Sequence, residues 1–193
     1  MTTALVLASS SPYRRQLLER LRLDFQTGTP AIDETPAPGE TGENLVLRLA
    51  ESKARALATR YPSHLIIGSD QVATLGETIL GKPGNLPAAQ GQLKAQSGRR
   101  VSFYTGVAVI DSQTGRVYSD IDRTVVQFRQ LPATAVSRYL EREKPFDCAG
   151  SFKCEGLGIS LFDAIKTDDP TALTGLPLIK LCQLLRKHGL EIP

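Results

Sequence analysis

The sequence predicts a mixed α/β fold, a single domain over residues 1–193, with both parallel and antiparallel strand pairs. Two observations lead there. Short, wholly apolar runs such as Ala4-Leu5-Val6-Leu7-Ala8 and Leu65-Ile66-Ile67 alternate with stretches whose apolar residues keep helical spacing. Two longer strand-like runs, Val101 to Ile110 and Arg116 to Phe128, pair around Ser112-Gln113-Thr114-Gly115.

The first apolar strand leads into Ser9-Ser10-Ser11-Pro12, where Ser11 reads as an N-cap and Pro12 as the first residue of a helix. That helix extends to about Leu21, with Leu17, Leu18 and Leu21 on one side. Phe25 begins a short extended piece. From Thr29 to Gly42 runs a loop rich in Pro, Gly, Thr and acid that carries Asp33-Glu34, and irregular loops inside a compact domain are more often functional than filler. A long helix spans roughly Glu43 to Arg60, with Val46, Leu49, Ala50, Ala54 and Leu57 at helical spacing and Pro62 as its stop. The strand begun by Leu65-Ile66-Ile67 is expected to end at Gly68-Ser69-Asp70-Gln71, and Val72 to Leu80 reads as a hairpin turning at Gly76-Glu77. Gly81-Lys82-Pro83 leads to a shorter helix around Pro87 to Gln96. After the paired strands come a helix near Ala133 to Glu143, a glycine-punctuated stretch to Gly156, and a strand expected near Leu157 to Ile165. The last helix starts at Pro177, shows Leu178, Leu181, Cys182 and Leu185 on one face, and stops at Gly189.

Composition narrows the function. Apolar content of 41% and charged content of 22% are ordinary for a soluble globular chain. A net charge of +3, with basic and acidic residues interspersed, lacks the basic stripe of a nucleic-acid binder. No apolar run approaches the roughly 18–20 residues of a membrane span. The opening Met-Thr-Thr lacks the start of an export signal, so the three cysteines, Cys148, Cys154 and Cys182, are expected as free thiols in the cytoplasm. With His64 and His188 as the two histidines, a zinc site is not expected. Any metal would be held by oxygen, which favours magnesium or manganese.

The candidate chemistry begins with basic residues in unfavourable places. Arg14 and Arg15 fall in a first helical turn, where the helix dipole disfavours cations unless an anion is near. Strand, serine loop and helix N-terminus together describe an anion site. Lys53 falls inside the apolar stripe of the long helix; the alternative is a lysine that snorkels to water. Asp70, at a strand end, could orient water, accept its proton or hold a metal, or it could simply serve a turn. Cations at Arg14, Lys53 and Lys82 would neutralise a polyphosphate, while Glu34 and Asp70 would hold a divalent ion and activate water. No Walker-type glycine loop is present.

Leu7-Ala8-Ser9-Ser10-Ser11-Pro12-Tyr13-Arg14, Asp33-Glu34, Lys53-Ala54, Gly68-Ser69-Asp70, Gly81-Lys82-Pro83, Ala149-Gly150 and Gly175-Leu176-Pro177 resemble, in order and over nearly the whole chain, the Maf family of nucleotide pyrophosphatases. The resemblance implies an elongated mixed sheet flanked by helices, with two lobes and a central cleft. It also implies hydrolysis of a nucleoside triphosphate to monophosphate and diphosphate, with a divalent cation and Asp70 as general base. Ser9, Arg14, Lys53 and Lys82 would bind the triphosphate, and Glu34 with Asp70 would serve the metal.

Three departures from the commoner family pattern are informative. Tyr13 stands where an arginine is usual, Gln71 follows Asp70 where pyrimidine-directed relatives tend to have threonine, and Glu155 replaces a glutamine. This set resembles the branch directed at 7-methyl-GTP, in which an aromatic occupies the Tyr13 position. Methylation at N7 makes guanine cationic, so an aromatic face attracts it by about 0.5–2 kcal/mol. A carboxylate can also accept from its N1–H and exocyclic amine. Plain alternatives are packing for Tyr13, which shares i, i+4, i+8 spacing with Leu17 and Leu21, and a solvated loop acid for Glu155. The expected partner is a nucleotide substrate, with no membrane and no stable nucleic-acid partner, and a homodimer is compatible. The rivals are the same reaction on dTTP and UTP, and a nucleic-acid-binding role tied to the family's association with septum formation.

Overall fold

A computed structural model describes residues 4–193. The opening Met-Thr-Thr, on which the expectation about export partly rests, lies outside the described residues. Seven strands form one mixed sheet in the order β2-β1-β3-β5-β6-β7, with β4 paired to β3 off this path. These are β1 (Ala4–Ala8), β2 (Phe25–Gly28), β3 (His64–Leu75), β4 (Thr78–Leu80), β5 (Arg100–Asp111), β6 (Val117–Phe128) and β7 (Phe162–Lys166). The helices are α1 (Pro12–Glu19), α2 (Gly42–Arg55), α3 (Leu86–Gln96), α4 (Ala133–Glu143) and α5 (Leu178–Lys187). Among the described residues no helix is long and apolar enough to cross a membrane.

The chain divides into two compact units, one taking the chain up to Gln71 with Thr105–Asp122 and Asp169–Pro193, the other Val72–Tyr104 with Arg123–Asp168. In the first unit β1 lies between two parallel neighbours, with Leu5 beside Phe25 on one side and Leu65 on the other. A strand so enclosed has both faces covered, which is why it is apolar throughout. Leu5 and Leu7 pack with Leu17 and Leu18 of α1 and Leu181, Leu184 and Leu185 of α5. Val6 and Ala8 face the other way, onto Ala54 near the end of α2 and Leu57 just beyond it. The two-residue period of the strand thus sorts one apolar run into two cores.

In the second unit α3 packs on α4 and on the short helical turn Ala149–Ser151. Phe103, Phe128, Phe152 and Phe162 meet edge to face, with ring centroids 4.8–5.8 Å apart.

Three boundaries differ from the sequence expectation. Gly68-Ser69-Asp70-Gln71 does not end a strand: β3 runs 12 residues through it, parallel to β1 over His64–Ile67 and antiparallel to β4 over Ala73–Leu75. Its turn-forming composition is overridden because those residues pack against the helices described below. The hairpin at Gly76-Glu77 forms as expected, with Leu75 opposite Thr78 and Gly76 at φ 62°. Helix α2 stops at Arg55 rather than Arg60, and residues 56–60 continue in tighter turns such as Ala58 N–H to Arg55 O. The stretch expected as a strand from Leu157 splits into a helical turn, Leu157–Leu161, followed by β7. There the Glu143 carboxylate accepts from Leu157 N–H at 2.8 Å, and a Cβ on Gly158 would lie 2.2 Å from the Lys153 carbonyl oxygen, so the chain coils.

Candidate active site

The site begins with two glycines. A Cβ on Gly68 would lie 2.0 Å from the Ala50 carbonyl oxygen, and one on Gly106 would lie 2.5 Å from that of Val46. Their absence of side chains lets the backbone of α2 rest directly on β3 and β5. Asp70, two residues beyond Gly68, shares its face of the strand and so meets the helix that carries Lys53.

Lys53 does not snorkel to water, the plain alternative that its place in the apolar stripe left open. The side chain is buried, its ammonium donating to Asp70 Oδ1 at 2.6 Å and pairing with Glu34 Oε1 at 2.9 Å. The apolar stripe carries a cation at that point because two carboxylates meet it there. Glu34 comes from the acidic loop between β2 and α2, so a loop, a helix and a strand converge on one nitrogen.

Arg14 joins this cluster electrostatically. Burial lowers the pKa of its guanidinium from the usual value, and the charges of Asp70 and then Glu34 act against that lowering. Those carboxylates account for a cation in the first turn of α1, where the dipole alone would disfavour it. Its Nε donates to the Gly175 carbonyl oxygen at 2.8 Å. Ser11 caps α1 as expected, accepting from Arg14 N–H at 3.4 Å, and Ser9 Oγ accepts from Ser11 N–H at 3.1 Å.

The opposite face of β3 holds a loop. Ser69, fully buried, has the Gly106 carbonyl at 2.8 Å and the Gly175 carbonyl at 2.9 Å as acceptors for its hydroxyl. Gln71 points the same way, its amide nitrogen donating to Thr105 Oγ1, the Ala172 carbonyl and the Leu173 carbonyl at 2.8–3.1 Å. Gln71 therefore ties down the 172–175 turn. Nothing in its sequence neighbourhood announces that tie, because its partners lie 34 to 102 positions away. Tyr13, beside Arg14 on α1, is half-buried.

Lys82 and Glu155 belong to the second unit. Lys82 is exposed on a segment fixed by Gln92 Nε2 donating to the Gly81 carbonyl at 3.1 Å and by Gly84 N–H donating to the Phe146 carbonyl at 2.9 Å. Glu155 is exposed and accepts from the Cys154 thiol at 3.1 Å, on a loop held to α4 by Lys153 N–H donating to Tyr139 Oη at 3.0 Å.

Among the described residues no three His, Cys, Asp or Glu side chains gather as a metal cage. Glu34 and Asp70 do gather, on a single cation. Magnesium is commonly bound through one or two carboxylates plus substrate phosphates, so this donor pair fits a hard divalent ion.

A family model described as "Maf-like protein" matches residues 4–188. The chain belongs to the Maf-like family. A protein of Pseudomonas fluorescens named 7-methyl-GTP pyrophosphatase is 55% identical over 98% of this chain and 98% of its own length. One of Xanthomonas oryzae pv. oryzae with the same name is 55% identical over all of both chains, and one of Pseudomonas aeruginosa is 53% identical over 98% of both. Among solved structures, this member of the family is similar to a HAM1 protein from Coxiella burnetii, at 17% identity and a TM-score of 0.44 over 68% of this chain and 75% of that one.

Proposed function

We propose that this chain is a pyrophosphatase that hydrolyses 7-methyl-GTP to 7-methyl-GMP and diphosphate in the cytoplasm, removing a modified nucleotide from the pool. The observation that carries the reaction class is the convergence of Lys53 and Arg14 with the carboxylates of Asp70 and Glu34. Full-length relatives named for this substrate support the choice of nucleotide.

In this reading Asp70 takes the proton of a water whose oxygen bonds to the α-phosphorus, and the bridging oxygen leaves with diphosphate. Lys53 has three N–H donors, of which Asp70 and Glu34 take two, leaving one for a phosphate oxygen. Arg14, anchored through Nε, keeps its terminal nitrogens for the same charge. Ser9 lies in the loop that leads to the α1 N-terminus, where phosphates are favoured. Glu34 and Asp70 would hold magnesium or manganese, which when bound neutralises charge on the phosphates.

Tyr13 would stack on the cationic base and Glu155 would accept from its N–H groups, with Lys82 on phosphate; for Lys82 and Glu155 the family resemblance is the support. Gln71 spends its amide nitrogen on the protein, so its Oε1 is the atom offered to a base N–H. Diphosphate release from 7-methyl-GTP, GTP, dTTP and UTP, with magnesium and with manganese, tests the reading. A preference for 7-methyl-GTP is expected. A preference for dTTP or UTP would return the chain to the pyrimidine pattern.

A further inference from the structure

We propose that Arg48 is a positioning residue, clasping the 33–40 loop to α2 so that Glu34 meets Lys53. The proposal rests on the pyrophosphatase reading for its catalytic consequence. Arg48 lies on α2, exposed, and makes a two-pronged pair with Glu40: Nε to Oε1 and Nη2 to Oε2, each at 2.7 Å. The same Nη2 donates to the Thr35 carbonyl at 3.1 Å, the residue next to Glu34. Glu40 Oε2 also accepts from Ala37 N–H at 2.9 Å, and Asp33 Oδ1 accepts from Thr35 N–H at 2.9 Å. Both flanks of Glu34 are thereby fixed. The loop is fastened to one helix at two points: Arg48 through Glu40 and Thr35, and Lys53 through Glu34.

Glu34 itself is exposed, so no burial holds its backbone in place. An exposed loop carboxylate aimed at a buried ammonium needs an external brace, and a bidentate arginine supplies direction that a point charge does not. Arg48 hydrogen bonding, then the Ala37 N–H, lowers the Glu40 pKa to about 2, so the clasp is charged through the working range of the enzyme.

The test compares Arg48→Ala, Arg48→Lys, Glu34→Gln and the Arg48→Ala/Glu34→Gln double variant in the full chain. Displacing a positioned group by about 1 Å can cost on the order of 100-fold; a loosened loop should cost about 10-fold in kcat/KM for 7-methyl-GTP. Arg48→Lys should fall between, lacking the fork. The double variant should be no slower than Glu34→Gln alone, because the clasp acts only through Glu34. Amide exchange supplies a readout without substrate: the Ala37 N–H should exchange faster in Arg48→Ala while α2 amides keep their protection. If Arg48→Ala fails to fold, Arg48→Lys carries the comparison. Unchanged exchange and unchanged kcat/KM in Arg48→Ala would overturn the clasp, as would a double variant slower than Glu34→Gln by the full Arg48→Ala factor. A wild type inert toward every nucleotide, with Ala37 exchange still answering to Arg48, would sink the pyrophosphatase reading and leave the clasp standing.

Discussion

A general base paired to an ammonium at 2.6 Å can be altered in two ways that separate chemistry from architecture. Asp70→Asn keeps an oxygen for Lys53 to donate to but removes the proton acceptor. Turnover should fall on the order of 10²–10⁴-fold with the melting temperature little changed. Near-normal diphosphate release from a folded Asp70→Asn protein would refute the base assignment. Lys53 behaves differently. From sequence its removal is expected to be structurally quiet, because its ammonium was placed toward ligand rather than toward a partner; the structure gives it two carboxylates. Lys53→Met should lower stability by about 3–5 kcal/mol less whatever Arg14 compensates, since breaking a buried pair strands a charge. Lys53→Met with Asp70→Leu should be less destabilised than Lys53→Met alone. Denaturant melts of both would show it, and equal losses would mean that the pair contributes nothing to the fold.

The fit of α2 on the sheet depends at the element scale on missing side chains. Gly68→Ala places a methyl group within 2.0 Å of the Ala50 carbonyl oxygen, an atom of helix backbone that cannot rotate away. The helix must lift, at a cost of about 1–3 kcal/mol or more. As it lifts, Lys53 leaves Asp70. Loss of melting temperature should therefore come with loss of turnover per folded molecule. A folded Gly68→Ala variant with full activity would show that the close approach is not what seats the lysine. These contacts also mark what could be read in advance. The Ser11 cap, the apolar stripe of α2 and the odd placing of Arg14 and Lys53 are local patterns, each legible from spacing and charge. The course of β3 through Gly68-Ser69-Asp70 was not, since those residues have the composition of a turn and become strand through packing on α2 and on the 172–175 turn. Nor were the Arg48 clasp and the Gln71 tie, which join residues with no common period.

At the scale of the whole molecule, Glu155, proposed to read the base, belongs to the second unit. Glu155 is exposed on a loop tied by its neighbours, so a nearly isosteric change should leave the fold intact. Glu155→Gln should lower kcat/KM for 7-methyl-GTP relative to dTTP by about 10- to 150-fold, through the loss of a charge-assisted hydrogen bond of roughly 1.5–3 kcal/mol. A ratio that stays constant would mean that Glu155 does not meet the base.

The two-sided enclosure of β1 also has a consequence for synthesis. Ala4 pairs with His64, and the apolar layer over Leu5 and Leu7 is completed by α5, near the far end of the chain. The segments of the second unit all precede Asp169. A nascent chain can thus finish its second unit while the first still shows bare leucines. At roughly 5–20 residues per second, α5 follows β1 by on the order of 10–40 seconds. Chains halted before α5 should be the ones that chaperones retain, and the emergence of α5, rather than any single contact, would set the moment at which the fold closes.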